Sequence, residues 1–210
     1  MKRLLIMGAG GCGREVLQWA LDINTQEKRW DEFGFLDFDE TILNGKKVSA
    51  PIIGNDDTYI IGSEDEFICA VGNGILRKKI INKMEKRGAK FITLIHPTAK
   101  VADSAFVGRG SILYPYSIIS TDTVIGKGCL INMNTSIAHD VHIGEYCTIS
   151  PNCHVTGACN IDNNVFMGVG VNIIPGIKVG ENAFICAGST VMTKVEPNTK
   201  VIGNPAKLKK

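Results

Sequence analysis

Every sixth residue is aliphatic in the stretch Ile131-Asn132-Met133-Asn134-Thr135-Ser136-Ile137-Ala138-His139-Asp140-Val141-His142-Ile143. The spacing continues without an insertion on both sides, through Val101, Val107, Leu113, Ile119 and Ile125, and through Ile149, Val155, Ile161, Met167, Ile173, Val179, Ile185 and Val191. Helices repeat their faces every 3.6 residues and strands every 2, so neither predicts a period of six. A triangular coil of three short strands does, because each side then takes six residues. We therefore predict an all-β parallel β-helix over residues 91–210, ending in a short C-terminal tail.

The fifth position of each hexad, counted from the aliphatic residue, is always small or aliphatic. Four of the seven cysteines occupy it, namely Cys129, Cys147, Cys153 and Cys159. Because successive hexads face different sides of the prism, we expect these thiols to be buried filler and not a metal site. An odd cysteine count in a chain of this length also argues against a disulfide scaffold. We expect a reduced, cytoplasmic protein.

Residues 1–90 follow a different pattern. A buried strand, Leu4–Met7, leads into Gly8-Ala9-Gly10-Gly11-Cys12-Gly13 and then into an amphipathic helix. Strands at 33–36 and 67–71 follow, with a second helix between Gly74 and Gly88. Alternating strands and helices predict a Rossmann-like α/β unit. The Gly-x-Gly-x-x-Gly pattern is typical of a phosphate-binding loop, although a plain tight turn is the alternative. The unit is short, which favours one nucleotide over a dinucleotide.

The bulk composition excludes several classes of protein. The 210 residues carry a formal net charge of +2, so no sequence-wide attraction to nucleic acid is expected. No stretch approaches the roughly 18 apolar residues of a membrane span, and we expect no membrane insertion.

Among the four histidines, His139 is the one that suggests chemistry. His142 and His154 fall at outward positions of the repeat, where solvated side chains are expected, and His96 precedes Pro97 at the junction. His139 falls at a corner and is followed by Asp140. Acyl transfer from a thioester needs a base, and a carboxylate beside an imidazole fixes its tautomer and raises its basicity. The residues alone leave a catalytic and a surface role equally open.

Several motifs together resemble one family. They are Gly8–Val16, Gly34-Phe35-Leu36-Asp37, Gly72–Lys79, Ile95-His96-Pro97-Thr98-Ala99, the hexads around His139-Asp140, and Gly203-Asn204-Pro205-Ala206-Lys207. Over essentially the whole chain the sequence resembles the sugar O-/N-acyltransferase family of hexapeptide-repeat enzymes. That family includes sialic-acid O-acetyltransferases and bacillosamine-pathway UDP-4-amino-sugar N-acetyltransferases. The resemblance implies left-handed winding, a homotrimer with its sites between neighbouring prisms, acetyl-CoA as co-substrate, and a nucleotide-sugar acceptor.

The resemblance also assigns roles to residues. His139 is implied as the general base for direct attack on the thioester, with Asp140 as its partner. The acceptor is implied to lie against Gly10, Gly11, Cys12, Asp37, Phe38, Gly72 and Ile75, and acetyl-CoA to pass Thr148, Val169 and Ala187. Two positions depart from the family pattern. Cys12 stands where the glycine loop often has histidine, and Thr148 replaces a histidine that contacts acetyl-CoA in the bacillosamine enzyme.

We therefore predict an acetyl-CoA-dependent N-acetyltransferase that acts on a UDP-4-amino-sugar type of acceptor for bacterial surface glycan synthesis, without a metal. O-acetylation of a sialic acid or a related sugar is the alternative. A zinc carbonic anhydrase-like trimer is a remote one, since its paired ligands are separated by four residues and His139 and His142 by two. A nicotinamide oxidoreductase rests on the glycine loop alone, and a catalytically inactive scaffold would not require His139-Asp140.

Overall fold

The computed structural model describes residues 1–209 and begins with a small α/β unit. Its elements are β1 (Arg3–Met7), α1 (Gly11–Gln26), β2 (Glu32–Leu36), β3 (Asp65–Cys69), α2 (Gly74–Lys86) and β4 (Lys90–Phe91). The four strands form a parallel sheet in the order β2-β1-β3-β4. This confirms the predicted Rossmann-like arrangement. Neither helix described in residues 1–209 combines the length and hydrophobicity needed to cross a membrane.

The rest of the chain winds into a three-faced solenoid. The first face contains β5 (Leu94–Ile95), β8 (Ile112–Leu113), β11 (Leu130–Ile131), β14 (Thr148–Ile149), β17 (Phe166–Met167), β20 (Phe184–Ile185), β22 (Lys200–Gly203) and β23 (Ala206–Leu208). The second contains β6 (Lys100–Val101), β9 (Ile118–Ile119), β12 (Ser136–Ile137), β15 (His154–Val155), β18 (Asn172–Ile173) and β21 (Thr190–Val191). The third contains β7 (Phe106–Val107), β10 (Val124–Ile125), β13 (His142–Ile143), β16 (Asn160–Ile161) and β19 (Lys178–Val179).

The register of the solenoid is the one that the hexads predict. Partners in neighbouring coils are eighteen residues apart, as for Ile125 and Ile143, until the last coil, where Phe184 pairs with Lys200. The aliphatic first position and the cysteines at the fifth are buried in one continuous core. The left-handed parallel β-helix of about six turns is thus confirmed as the fold of this region.

The fourth position of the hexad has a left-handed backbone conformation. From Gly110 to Gly188, every fourth-position residue has a positive φ, including Asp140 at 58°. Glycine, asparagine and aspartate tolerate this left-handed conformation best, and they fill most of these positions. The corner is therefore encoded by backbone conformation as well as by the buried aliphatic residue.

The fifth position does more than fill space. The Cys153 thiol donates to the carbonyl of Gly168 at 3.1 Å, and the hydroxyl of Thr135 donates to the carbonyl of Ser150 at 3.0 Å. The same contact, from position five to the position-two carbonyl of the next coil, recurs at Ser111, Thr123, Cys129, Cys147 and Cys159. Each contact gives a donor to the position-two carbonyl at a corner of the prism.

Arg77 joins the two units. Its guanidinium is fully buried and donates to the carbonyls of Val71 and Gly72 in the α/β unit and to those of Gly128 and Tyr146 in the solenoid. No carboxylate within residues 1–209 forms an ion pair with it, so these oxygen atoms compensate the charge. Burial lowers the pKa of Arg77 from its ordinary value. The contact fixes the strand ends of the α/β unit against the solenoid.

Candidate active site

His139 and Asp140 form a hydrogen-bonded pair on an exposed corner between the second and third faces. The distance from His139 Nδ1 to Asp140 Oδ2 is 2.7 Å, and the two side chains are 64% and 62% exposed. The left-handed conformation of Asp140 turns its carboxylate back toward the preceding imidazole. Because the carboxylate accepts the N–H at Nδ1, the neutral ring presents an unprotonated Nε2. An open corner with this tautomer can take a proton from a substrate.

Gly157 supports the imidazole from the next coil. A methyl group at this position would stand 2.6 Å from Cε1 and 2.7 Å from Nε2 of His139, inside van der Waals contact. The ring therefore lies directly over the bare Cα of Gly157. The motifs in the sequence did not single out this residue, although its position eighteen residues after His139 was a sufficient signal.

The glycine loop forms a tight turn at the start of α1. Gly8 has a φ of 92°, and a Cβ on Gly13 would collide with the Gly8 carbonyl, so these two glycines set the tight turn and the close packing of helix on strand. Gly10 caps α1 without a side-chain hydrogen bond, and nothing lies within 4 Å of where a Cβ on Gly10 or Gly11 would stand. The first amides of the helix are thus open to a phosphate.

Asp37 and Phe38 follow the end of β2, beside the glycine loop. Asp37 accepts the Ala9 amide at 2.7 Å and the Asp39 amide at 3.0 Å, so its carboxylate orders both segments. The Phe38 ring is 65% exposed. Both residues line a cavity of about 270 Å³ that also contacts Gly8 and Val71. We call it the strand-end cavity. It lies between the carboxyl ends of β1 and β3. The chain adds β2 on one side of β1 and β3 on the other, and α/β proteins bind nucleotides at such a change in strand order.

Cys12 faces the solenoid. Its Sγ lies 3.0 Å from the hydroxyl of Tyr114, a residue that is fully buried. Burial raises the pKa of the Cys12 thiol, while the hydrogen bond to Tyr114 acts in the opposite direction. Burial likewise raises the pKa of Tyr114. At the position where the family often has histidine, this chain therefore places a neutral thiol that links the glycine loop to the solenoid.

Thr148 is also part of the contact between the units. Its hydroxyl donates to the carbonyl of Gly72 at 2.8 Å and accepts from Arg77 at 2.9 Å, and the residue is 8% exposed. The hydroxyl of Thr148, which the resemblance places along the path of acetyl-CoA, therefore already has two hydrogen-bond partners within the chain. The bond from Thr148 holds the Gly72 carbonyl against the first face of the solenoid. Ile75, two residues past Asn73, the N-cap of α2, is 54% exposed beside the same loop.

Val169 and Ala187 are exposed and stacked on the corner between the first and second faces. On the adjoining first face, Phe166 and Phe184 stack with ring centroids 4.6 Å apart, and the Lys200 ammonium lies 4.6 Å from the second ring. Two phenylalanines eighteen residues apart were the sequence signal for this pair. The two rings add apolar surface beside the corner of Val169 and Ala187.

The structure thus collects the glycine loop, Asp37, Phe38, Gly72 and Ile75 around one side of the α/β unit. His139 and Asp140 stand on a different corner of the solenoid, and within residues 1–209 the His139 imidazole makes one hydrogen bond, to Asp140. His96 is buried against Trp19 and bonded to Thr98. No group of three or more metal-binding side chains occurs in this part of the chain.

Comparisons with known proteins agree with this architecture. Residues 3–84 match the PglD N-terminal domain, and residues 122–157 match the bacterial transferase hexapeptide repeat. The acetyltransferase domain of PglB from Neisseria gonorrhoeae FA1090, solved with acetyl coenzyme A, superimposes with a TM-score of 0.91 and 29% identity, covering 99% of this chain and 98% of that one. PerB from Caulobacter crescentus, solved with CoA and GDP-perosamine, gives 0.89 and 25%, covering 100% and 98%.

Among curated sequences, UDP-N-acetylbacillosamine N-acetyltransferase of Bacillus subtilis is 31% identical over 117 residues, which is 54% of this chain and 51% of that protein. A putative acetyltransferase of Saccharomyces cerevisiae is 47% identical over 45 residues, 21% of this chain and 23% of that protein. The chain thus spans between about a fifth and a half of the curated relatives it matches. The two family models thus match parts of both units in order, and the whole chain is similar in fold to solved acetyltransferases.

Proposed function

We propose that this protein transfers the acetyl group of acetyl-CoA to the amino group of a nucleotide-linked amino sugar. The observation that carries the proposal is the hydrogen bond between His139 and Asp140 on an open corner of the solenoid, an arrangement that suits an imidazole to act as a general base. The names of the similar proteins support the reaction class, since they describe N-acetylation or complexes with CoA and a nucleotide-linked sugar.

His139 acts as the general base. The substrate amine attacks the thioester carbonyl carbon while Nε2 of His139 takes the proton that the nitrogen loses. Asp140 stabilises the imidazolium that forms. When the tetrahedral intermediate collapses, the carbon–sulfur bond breaks, and the same proton passes from the imidazolium to the departing sulfur. The products are the acetylated amine and free CoA.

The acceptor binds along the α/β unit. Its pyrophosphate lies at the open amides of Gly10 and Gly11, next to Cys12. Its nucleoside enters the strand-end cavity beside Asp37 and Phe38. Gly72 and Ile75 then line the path toward the solenoid.

Acetyl-CoA runs past Thr148 and along the corner of Val169 and Ala187, and the Thr148 hydroxyl also supports Gly72. That corner and the corner of His139 are different edges of the prism, so one prism does not bring the thioester to the base. We therefore propose a homotrimer in which neighbouring prisms supply one corner each. Light scattering of the purified protein checks the trimer directly.

The acceptor and the cellular role follow from this chemistry. An amine is favoured over a hydroxyl because the similar proteins of Bacillus subtilis and Caulobacter crescentus are named N-acetyltransferases of amino sugars. O-acetylation of a sialic acid or a related sugar is the second candidate. Surface glycan synthesis is the proposed role. Each of the seven cysteines is a free thiol, which supports a reducing, cytoplasmic location.

The test is CoA release from acetyl-CoA, measured with a thiol reagent, across UDP-linked and GDP-linked 4-amino sugars, free sialic acids and nucleotide sugars without an amine. We expect turnover only with amino-sugar acceptors and its loss in His139→Ala. Turnover of sialic acids alone would favour the second candidate. No release from any acceptor by the intact oligomer would refute an acetyltransferase function.

A further inference from the structure

The two corners that the proposed site uses are the two edges of the second face. His139 lies where the second face meets the third, and Val169 and Ala187 lie where the first face meets the second. In a ring of three prisms, each prism offers one of these corners to each neighbour. Either the second face or the corner opposite it must then face the ring axis. The choice between them matters only if the site is divided between subunits, and so rests on the proposed function.

The opposite corner, between the third and first faces, is occupied by the α/β unit. Arg77 of α2 donates to the carbonyls of Gly128 and Tyr146 at this corner, at 2.6 and 2.8 Å. The adjoining first face is covered as well, since Ile112 and Leu130 are buried in a core that they share with α1 and β1. A folded unit between this corner and the axis would hold the prisms apart. The second face is therefore the one that can meet the axis.

The outward side chains of the second face suit a surface that meets copies of itself. At a threefold axis each side chain lies near two copies of itself, so a charged group is repelled, whereas a neutral group can pack or form hydrogen bonds. Within residues 1–209 the six strands of this face carry one charged residue, Lys100, in the first strand. The third face, in contrast, carries Asp162 and Lys178. In chain order, the outward residues of the six strands of the second face are Lys100, Ile118, Ser136, His154, Asn172 and Thr190.

Apolar and hydrogen-bonded side chains fill this face from one end to the other. Ile118 is 50% exposed, Ile174 37% and Met192 43%. Between them, the Ser136 hydroxyl lies 2.7 Å from Nδ1 of His154 in the next coil. The polar pair at the centre of the face thus has a partner within its own chain, which lowers the cost of covering it. Covering the isoleucines and the methionine removes apolar surface from water.

We propose that the second face is the surface through which three copies of this chain associate, with the Ser136–His154 pair of each copy turned toward the threefold axis. The His139 corner of one copy then lies beside the Val169 corner of the next. The α/β units lie on the outside, and the three clefts between the prisms stay open to the acceptor and to acetyl-CoA. A single prism holds half of each site, so a chain that cannot associate through this face cannot release CoA.

A charge placed on this face tests the assignment. Ile118→Asp brings three carboxylates to the axis, and Val124→Asp is the matched control. Val124 is also β-branched, holds the same position of the next hexad and is 38% exposed, but it lies on the third face. The full chains are compared by sedimentation equilibrium. We expect the unchanged protein and Val124→Asp to have the mass of three 22.7 kDa chains, and Ile118→Asp that of one, with CoA release lost only in Ile118→Asp.

Three outcomes would overturn the assignment. They are any mass other than that of three chains for the unchanged protein, an intact trimer in Ile118→Asp, or an equal dissociation in Val124→Asp. If circular dichroism shows that Ile118→Asp does not fold, Ile174→Asp on the same face replaces it with the same expected result. The mass does not depend on catalysis. Dissociation by Ile118→Asp without CoA release from any acceptor by the unchanged trimer contradicts only the acetyltransferase function, and CoA release by a trimer that Ile118→Asp leaves intact contradicts only the role of the second face.

Discussion

Replacing Gly157 with alanine should displace the imidazole of His139, the proposed general base, without disturbing the coil that supports it. The added Cβ would stand 2.6 Å from Cε1 and 2.7 Å from Nε2 of His139, whereas carbon atoms pack at about 3.5–4.0 Å. The ring must therefore retreat by roughly 1 Å. Because the His139 side chain is 64% exposed, it moves into solvent at little cost. Gly157 is not among the glycines with positive φ, so alanine adds no backbone strain.

The expected effect is on the rate and not on stability. A displacement of about 1 Å at a reacting group costs on the order of 10²-fold in rate, or about 2.7 kcal/mol of transition-state stabilisation. Alanine in an unstrained glycine position changes the free energy of unfolding by about 1 kcal/mol or less. We expect kcat for CoA release to fall about 10²-fold in Gly157→Ala, with KM for acetyl-CoA and the melting temperature close to those of the unchanged protein.

A double-mutant cycle separates this mechanism from others. Once His139→Ala has removed the ring, Gly157→Ala should have almost no further effect, because the two changes act on one contact. An undiminished loss on the His139→Ala background would refute the reasoning, as would an unchanged kcat in the single variant. A fall in melting temperature of more than about 5 °C would show instead that the coil itself had been damaged.

Four further outcomes are expected from contacts within the chain. Asp140→Asn keeps a side chain that tolerates the positive φ but removes the charge, so kcat should fall by at least about 10²-fold with unchanged melting temperature; normal turnover would exclude a catalytic role for the carboxylate. Arg77→Met leaves several buried carbonyls without a donor, so its free energy of unfolding, measured by urea titration, should be lower by more than about 3 kcal/mol. Arg77→Lys should lie between this variant and the unchanged protein. Cys153→Ala should lower the melting temperature more than Cys153→Ser, because serine keeps the donor to a corner carbonyl 3.1 Å away; equal melting temperatures would mean that the thiol only fills space. Burial raises the pKa of Asp65, but hydrogen bonds from Arg3 and others outweigh burial and leave the pKa below 3.8. The ionised carboxylate therefore stabilises the fold fully above pH 3.8, and this stabilisation is lost as the pH falls through the lowered pKa. The acid-unfolding curve of Asp65→Asn should lack this contribution.

The hexads predicted much of the solenoid from local spacing alone. A residue at position one or five must point inward whatever surrounds the prism, so the burial of Ile137 or Cys153 follows from counting. The exposed corner of His139 follows in the same way. The same counting could have found Gly157, since residues eighteen apart stack in adjacent coils, and the left-handed fourth position, since it is rich in asparagine and glycine.

The α/β unit was predictable as a type of fold but not in its contacts. The glycine pattern predicts an open helix start at Gly10, which the structure contains. It does not reveal that Asp56, in a long irregular segment, returns to the same strand ends. No periodicity governs such a segment, so its path depends on what it packs against.

By itself, then, the sequence determined the two architectures, the buried aliphatic core, and the corner on which His139 and Asp140 stand, because each depends on backbone periodicity or on adjacent residues. Only the tertiary structure decided that Thr148 supports Gly72 and that Arg77 joins the units with no carboxylate partner among residues 1–209. It also decided that one buried oxygen of Asp56 has no hydrogen-bond partner in the described part of the chain. The contacts of Thr148 and Arg77 depend on how the α/β unit docks on the first face of the solenoid, which brings together side chains and carbonyls 51 to 76 residues apart that no local pattern relates.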